Sequence, residues 1–184
     1  MFYSLVFSLI IGLFPHQNLS KYKLINNETR NLPLIGEKIQ GDFNGDGIKE
    51  TAKVVKTKNR IGNPIEDGIA EEYEIQFSDP NLKSIKVGCC EVRLINEGDL
   101  NNDKTDEISI FQAPMNGCTY SMTTYSFVKG DWIQLVKTFL ISTACEDLSD
   151  KELQERIFKE NNSIYFLDVD PNDKTFKLVK RKLK

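Results

Sequence analysis

Histidine is nearly absent from this 184-residue chain. The single one is His16, inside an N-terminal stretch expected to be removed. Triads built on an imidazole base and zinc sites built on histidine are therefore closed to the mature chain. No C-x-x-C pair occurs among the four cysteines, Cys89, Cys90, Cys118 and Cys145, which argues against a zinc cluster or a thioredoxin-type centre. Positive charge is not in excess: the formal net charge of −3 offers no case for nucleic-acid binding. Nor is there an apolar run long enough for a stable membrane span. Met1–Phe14 is uncharged and largely apolar, but a spanning helix needs about 20 such residues.

That apolar stretch suits the core of an export signal, although no Lys or Arg precedes it. Residues 1–20 are read as an export segment and 21–184 as one β-rich domain in a secreted or periplasmic protein. An even number of cysteines in a small exported chain suggests two disulfides. Adjacent cysteines do not easily bond one another across a trans peptide. A hairpin centred near Asp103 would pair strand residues whose numbers sum to about 206. The expectation is that Cys118 bonds Cys89 or Cys90 and that Cys145 takes the other.

What the chain does hold is one short acidic stretch, written twice. Gly41-Asp42-Phe43-Asn44-Gly45-Asp46-Gly47-Ile48-Lys49-Glu50 returns 57 residues later as Gly98-Asp99-Leu100-Asn101-Asn102-Asp103-Lys104-Thr105-Asp106-Glu107. Both copies read Asp-x-Asn-x-Asp-x-x-x-Glu, with oxygen-bearing side chains at loop positions 1, 3, 5 and 9. A hard divalent cation takes six to eight oxygens at roughly 2.3–2.6 Å, and alternate residues of a tight loop can aim them at one centre. The reading is two calcium loops, holding one or two Ca2+ ions. An EF-hand is rejected because its position-12 glutamate is Lys53 in one copy and Ile110 in the other. The β-branched Val54, Val55, Ile108 and Ile110 also favour strands over helices as flanks.

Around the loops, Thr51–Lys56, Glu72–Phe77, Lys83–Val87, Cys90–Ile95 and Glu107–Ala113 read as strands. Thr119–Val128 and Trp132–Ile141 flank Lys129-Gly130-Asp131, a hairpin signal. Tyr120, Tyr125, Phe127 and Trp132 are assigned to cross-strand packing. One helix is expected over Asp150–Phe158, capped by Ser149 with Glu152 completing a capping box. Ile164–Val169 and Phe176–Val179 form a last strand pair. The fold class is mainly β: antiparallel sheets from two blade-like strand-loop-strand units, near 39–95 and 96–145, plus a C-terminal hairpin and one short helix.

The loops resemble the calcium loops of FG-GAP/VCBS-type repeats, the strand-loop-strand units of integrin α-subunit propellers and many exported bacterial proteins. The likeness covers about residues 39–113. It implies ligation by Asp42, Asn44, Asp46 and Glu50 side chains and the Ile48 carbonyl. In the second copy it implies Asp99, Asn101, Asp103 and Glu107, with the Thr105 carbonyl. Two departures stand out: Lys104 replaces Gly at position 6, and the strands suffice for two or three blades only.

The expected function is an exported calcium-binding β module with a structural, interaction or adhesion role. Its partner, a protein or a carbohydrate, is unknown. Two alternatives stay open: a calcium-dependent hydrolase using loop acids, for which Asp106 is the one spare carboxylate, and a small periplasmic inhibitor or partner protein. A non-enzymatic role is favoured.

Overall fold

The structure, a computed structural model, describes residues 34–170, 173, 175 and 177–183. The expected export segment, with His16, lies outside the described residues. Two four-stranded antiparallel meanders follow one another. The first is β2 (Lys38–Gly41), β3 (Glu50–Lys58), β4 (Glu72–Phe77) and β5 (Ile85–Gly88). The second is β6 (Val92–Gly98), β7 (Glu107–Gln112), β8 (Thr119–Val128) and β9 (Asp131–Ser142), and β1 (Ile35–Gly36) adds to it beyond β6. Helix α1 (Asp150–Gln154) leads into a third sheet of β10 (Ile157–Glu160), β11 (Ser163–Val169) and β12 (Leu178–Lys182). The chain is thus mainly β, with three antiparallel sheets and one short helix.

Strand alternation makes the second meander the middle layer. Successive side chains point to opposite faces of a sheet. Leu94 and Ile110 therefore join Ile39, Phe43 and Ile75 in a core against the first meander, while Ile95 and Phe111 join Leu153 and Ile157 in a core beneath the third sheet. A strand buried on both faces must read as a continuous apolar run. Val92-Arg93-Leu94-Ile95 and Ile108-Ser109-Ile110-Phe111 come near to this, each with one polar residue and with every apolar member buried.

The β8–β9 hairpin turns through Lys129 and Gly130, both at positive φ, as a two-residue turn between right-twisted strands requires. Phe127 pairs with Trp132 across it, and Trp132 also stacks on Phe77 with ring centres 4.8 Å apart. The aromatic residues here pack, as expected.

Two expectations are corrected. The helix ends at Gln154, not Phe158, because Ile157–Glu160 pair with Phe166–Ser163 as a strand. Its capping box is present: Ser149 Oγ accepts from the Glu152 N–H and Glu152 accepts from the Ser149 N–H. Sheet pairing thus overrode local helix propensity beyond the cap. The cysteine pairing also differs: Cys89 bonds Cys90, and Cys118 bonds Cys145. The expectation assumed a trans peptide between Cys89 and Cys90, whereas that peptide is cis. It also carried β7 straight through to Cys118, but β7 stops at Gln112 and the chain turns back. Thr119 then pairs with Ser142, and the Thr143 N–H donates to the Cys118 carbonyl at 2.9 Å, which brings Cys145 within reach. No helix among the described residues is long and apolar enough to cross a membrane.

Candidate metal centre

Each acidic loop closes a hairpin at the start of its meander. Gly41 pairs with Glu50 at the mouth of the first loop, and Gly98 with Glu107 at the mouth of the second. Position 9 is therefore the first residue of a strand, held rigidly and pointing back beneath the loop. Both glutamates are buried, and each accepts the position-2 backbone N–H: Phe43 to Glu50 Oε2 at 2.8 Å, Leu100 to Glu107 Oε2 at 2.6 Å. The position-2 side chains, Phe43 and Leu100, anchor the loops by burial in the two cores.

The loops then share one set of backbone closures. Position 1 accepts from positions 4 and 6 in both: Asp42 from Gly45 and Gly47, each at 2.9 Å, and Asp99 from Asn102 and Lys104 at 2.6 and 3.1 Å, with a further bond from Asp103 at 3.2 Å in the second loop. Position 3 accepts from position 5: Asn44 from Asp46 at 2.9 Å, Asn101 from Asp103 at 2.8 Å. Position 5 accepts from position 7: Asp46 from Ile48 at 2.7 Å, Asp103 from Thr105 at 2.9 Å. Short Asx closures of this kind wind the backbone tightly and gather the side-chain oxygens on the inside.

In the first loop the carboxylates of Asp42, Asp46 and Glu50 offer oxygens that all lie within 4.8 Å of one another. Burial pushes the Glu50 carboxyl above its usual range, and the charges of Asp46 and Asp42 push it further. Such a donor set, three carboxylates with the Asn44 amide beside them, fits a hard divalent cation, whose charge would offset this repulsion. The Asn44 amide nitrogen donates to Asp46 and to Asp79, a residue outside the motif. The Ile48 side chain is exposed.

The second loop is the same scaffold in a more closed state. Glu107 is fully buried and pushed up to about 7, chiefly by burial, with Asp103 and Asp99 adding. Both its oxygens are engaged, Oε2 by Leu100 and Oε1 by the Asn101 amide at 3.0 Å, and that amide also reaches Ser126. Burial works to raise Asp103 as well, but bonds from Thr105, Asn101 and Ser126 outweigh it and hold the group low. Lys104 takes a φ of 75°, close to the 86° of Gly47 at the same loop position. The backbone at position 6 is therefore left-handed in both copies.

Beneath the second loop lies a polar layer that the motif did not disclose. Ser109 and Thr124 are buried and bonded to each other at 2.8 Å. Next to them, Glu97 has an oxygen, Oε1, shut off from solvent and without a partner. Burial pushes Glu97 up to about 8, Ser109 pulls part of the way back, and the Glu107 charge adds to the rise. Glu97, the residue before the second loop, occupies the place that Gln40 has before the first.

The two loops touch. The Asn96 amide donates to the Gln40 carbonyl at 2.7 Å and to Asp106 at 3.1 Å. A Cβ on Gly45 would sit 3.0 Å from the Thr105 methyl, a tight contact, and Gly45 has a φ of 76°, so glycine is favoured there, although Asn102 takes a φ of 67° at the same position of the second loop. Asp106, the spare acid of the sequence reading, is one of the struts between the loops.

Known protein families, curated proteins and solved structures give no match to this chain. Its functional reading therefore rests on the chemistry of its own residues.

Proposed function

We propose that the chain is an exported, calcium-stabilised β module of the FG-GAP/VCBS type, in which metal-held loops fix interaction surfaces rather than carry out a reaction. The observation that carries this is the duplication: two loops 57 residues apart in sequence share the same closures, and in the first of them three carboxylates lie within 4.8 Å. Asp42, Asn44, Asp46, Glu50 and the Ile48 carbonyl would hold one ion. Asp99, Asn101, Asp103, Glu107 and the Thr105 carbonyl would hold a second once the Asn101 amide swings off Glu107. Export agrees with two bonded cysteine pairs, which persist in oxidising compartments. Extracellular and periplasmic calcium would then suffice, since modules of this kind bind in the sub-millimolar to millimolar range.

A structural role follows from the magnitude. With a dissociation constant of about 0.1 mM and about 1 mM calcium, each filled site stabilises the fold by about 1.4 kcal/mol. The deciding experiment is thermal melting in chelator and in calcium, with calorimetric titration alongside. The reading expects a rise of a few degrees with calcium, with the first loop's share of it lost in Asp42→Ala and Asp46→Ala. Identical melting in both buffers together with no heat of binding would end it.

A further inference from the structure

A second cluster of ligand-type side chains lies away from the acidic loops, where the two meanders join. Cys89 and Cys90 form the connection from β5 to β6, and Glu71 immediately precedes β4. Both Sγ atoms and a Glu71 carboxylate oxygen lie within 4.8 Å of one another, and all three residues are half-buried. They line a cavity of about 220 Å³, with Glu91, Arg60 and the thioether-bearing Met115 also on its wall. With the sulfurs bonded to each other, no thiolate is on offer. Parting them changes that, because two soft anionic donors and a carboxylate then share one small recess.

We propose that reduction of Cys89–Cys90 opens a binding site for a thiophilic divalent cation of the zinc and cadmium class, with both thiolates and Glu71 as its ligands. An external dithiol supplies the two electrons and two protons and leaves as its own disulfide. The cation then displaces the two thiol protons to solvent as the two metal–sulfur bonds form. Zinc takes thiolate sulfur at about 2.3 Å and carboxylate oxygen at about 2.0–2.2 Å; the sulfurs part from bonding distance on reduction, and the Glu71 carboxylate already lies beside them. Glu91 adds negative charge to the cavity wall. Arg60 opposes binding: its Nε lies 3.9 Å from Glu71 Oε2, and its side chain is half exposed and free to turn to solvent. The site is closed by oxidation, so occupancy reports the redox state of its surroundings. It owes nothing to the acidic loops, whose hard oxygen donors suit a different class of ion.

The test uses the full chain, reduced with a phosphine, which takes an oxygen from water as the disulfide opens and binds cadmium weakly. Cadmium is titrated in while the thiolate charge-transfer absorption and the far-ultraviolet circular dichroism are recorded. The expected result is one cadmium per chain after reduction, none before it, and displacement by zinc. Because the phosphine also opens Cys118–Cys145, every titration is run in the Cys118→Ser/Cys145→Ser background, where the band should vanish once Cys89→Ser/Cys90→Ser is added. Affinity should fall at least about tenfold in Glu71→Gln, the lower bound known for residues that merely support a ligand. In that background, no band after reduction, a band that survives Cys89→Ser/Cys90→Ser, or unchanged affinity in Glu71→Gln would overturn the proposal. So would a band that appears only as the sheet signal is lost, since Glu71 reaches the sulfurs through the fold.

Discussion

Asp42 and Asp106 hold each other across the two acidic loops. The Asp42 N–H donates to Asp106 Oδ2 at 3.0 Å, and the Asp106 N–H returns to the Asp42 carbonyl at 2.8 Å. A position-1 residue of one loop is thus positioned by a residue of the other, and the loops form one structural unit.

Removing the Asp106 carboxylate should therefore cost stability. Asp106→Ala leaves the part-buried Asp42 N–H and one Asn96 amide proton without their acceptor, a loss of about 1–3 kcal/mol. Denaturant unfolding of the variant in chelator should show that loss, and calcium affinity at the first loop should fall with it. An unchanged midpoint would return Asp106 to the status of a spare acid, as a hydrolase reading needs.

Lys104 sits where its twin is glycine. Placing an L-residue in the left-handed region costs about 1–2 kcal/mol, part of which glycine gives back through a freer unfolded chain. Lys104→Gly should therefore stabilise the chain by about 0.5–1 kcal/mol without metal. It also removes an ammonium from the loop that would hold the second ion, so the stabilisation by calcium should grow. Melting curves of the variant in chelator and in calcium separate the two effects.

Glu97 and Glu107 set a pH dependence whose sign is opposite to that of ordinary paired carboxylates. Their carboxyls rise from 4.5 in the free state to about 8 and about 7 when folded, mainly through burial. The folded chain then holds more protons than the unfolded one in that interval, so stability in chelator should fall as pH rises from about 4.5 to about 8. Glu97→Gln installs the residue of the first repeat and removes the larger contribution. At about pH 8 it should raise stability by roughly 1–2 kcal/mol, allowing for the solvent that reaches the rest of the side chain, and the slope should flatten. Chelator-containing melts across this range check both.

Cys118 and Cys145 are separated by 27 residues and clasp the open end of the β8–β9 hairpin. Closing a loop of that length constrains the unfolded chain by about 3.5 kcal/mol in the chain-entropy picture. Cys118→Ser/Cys145→Ser should lower the unfolding free energy by about that amount. Cys89→Ser/Cys90→Ser should change it far less, since a bond between neighbours closes almost no chain.

The amino-acid sequence by itself determined the local events. Loop positions 1, 3, 5 and 9, the hairpin at Lys129-Gly130, the Ser149 capping box and most strand positions follow from residue spacing and turn chemistry, which act within a few neighbours. The alternating or continuous apolar pattern of each strand likewise marked it for burial. Only the tertiary structure decided which partners met. It ended the helix at Gln154 in favour of a β10–β11 pairing, and it turned the chain back after Gln112, so that Cys118 met Cys145. It also slid the Asp106 carboxylate against Asp42 and enclosed Glu97 in a polar layer. These outcomes depend on contacts between segments far apart in the chain, and their energies are set by packing and burial, which residue spacing does not encode.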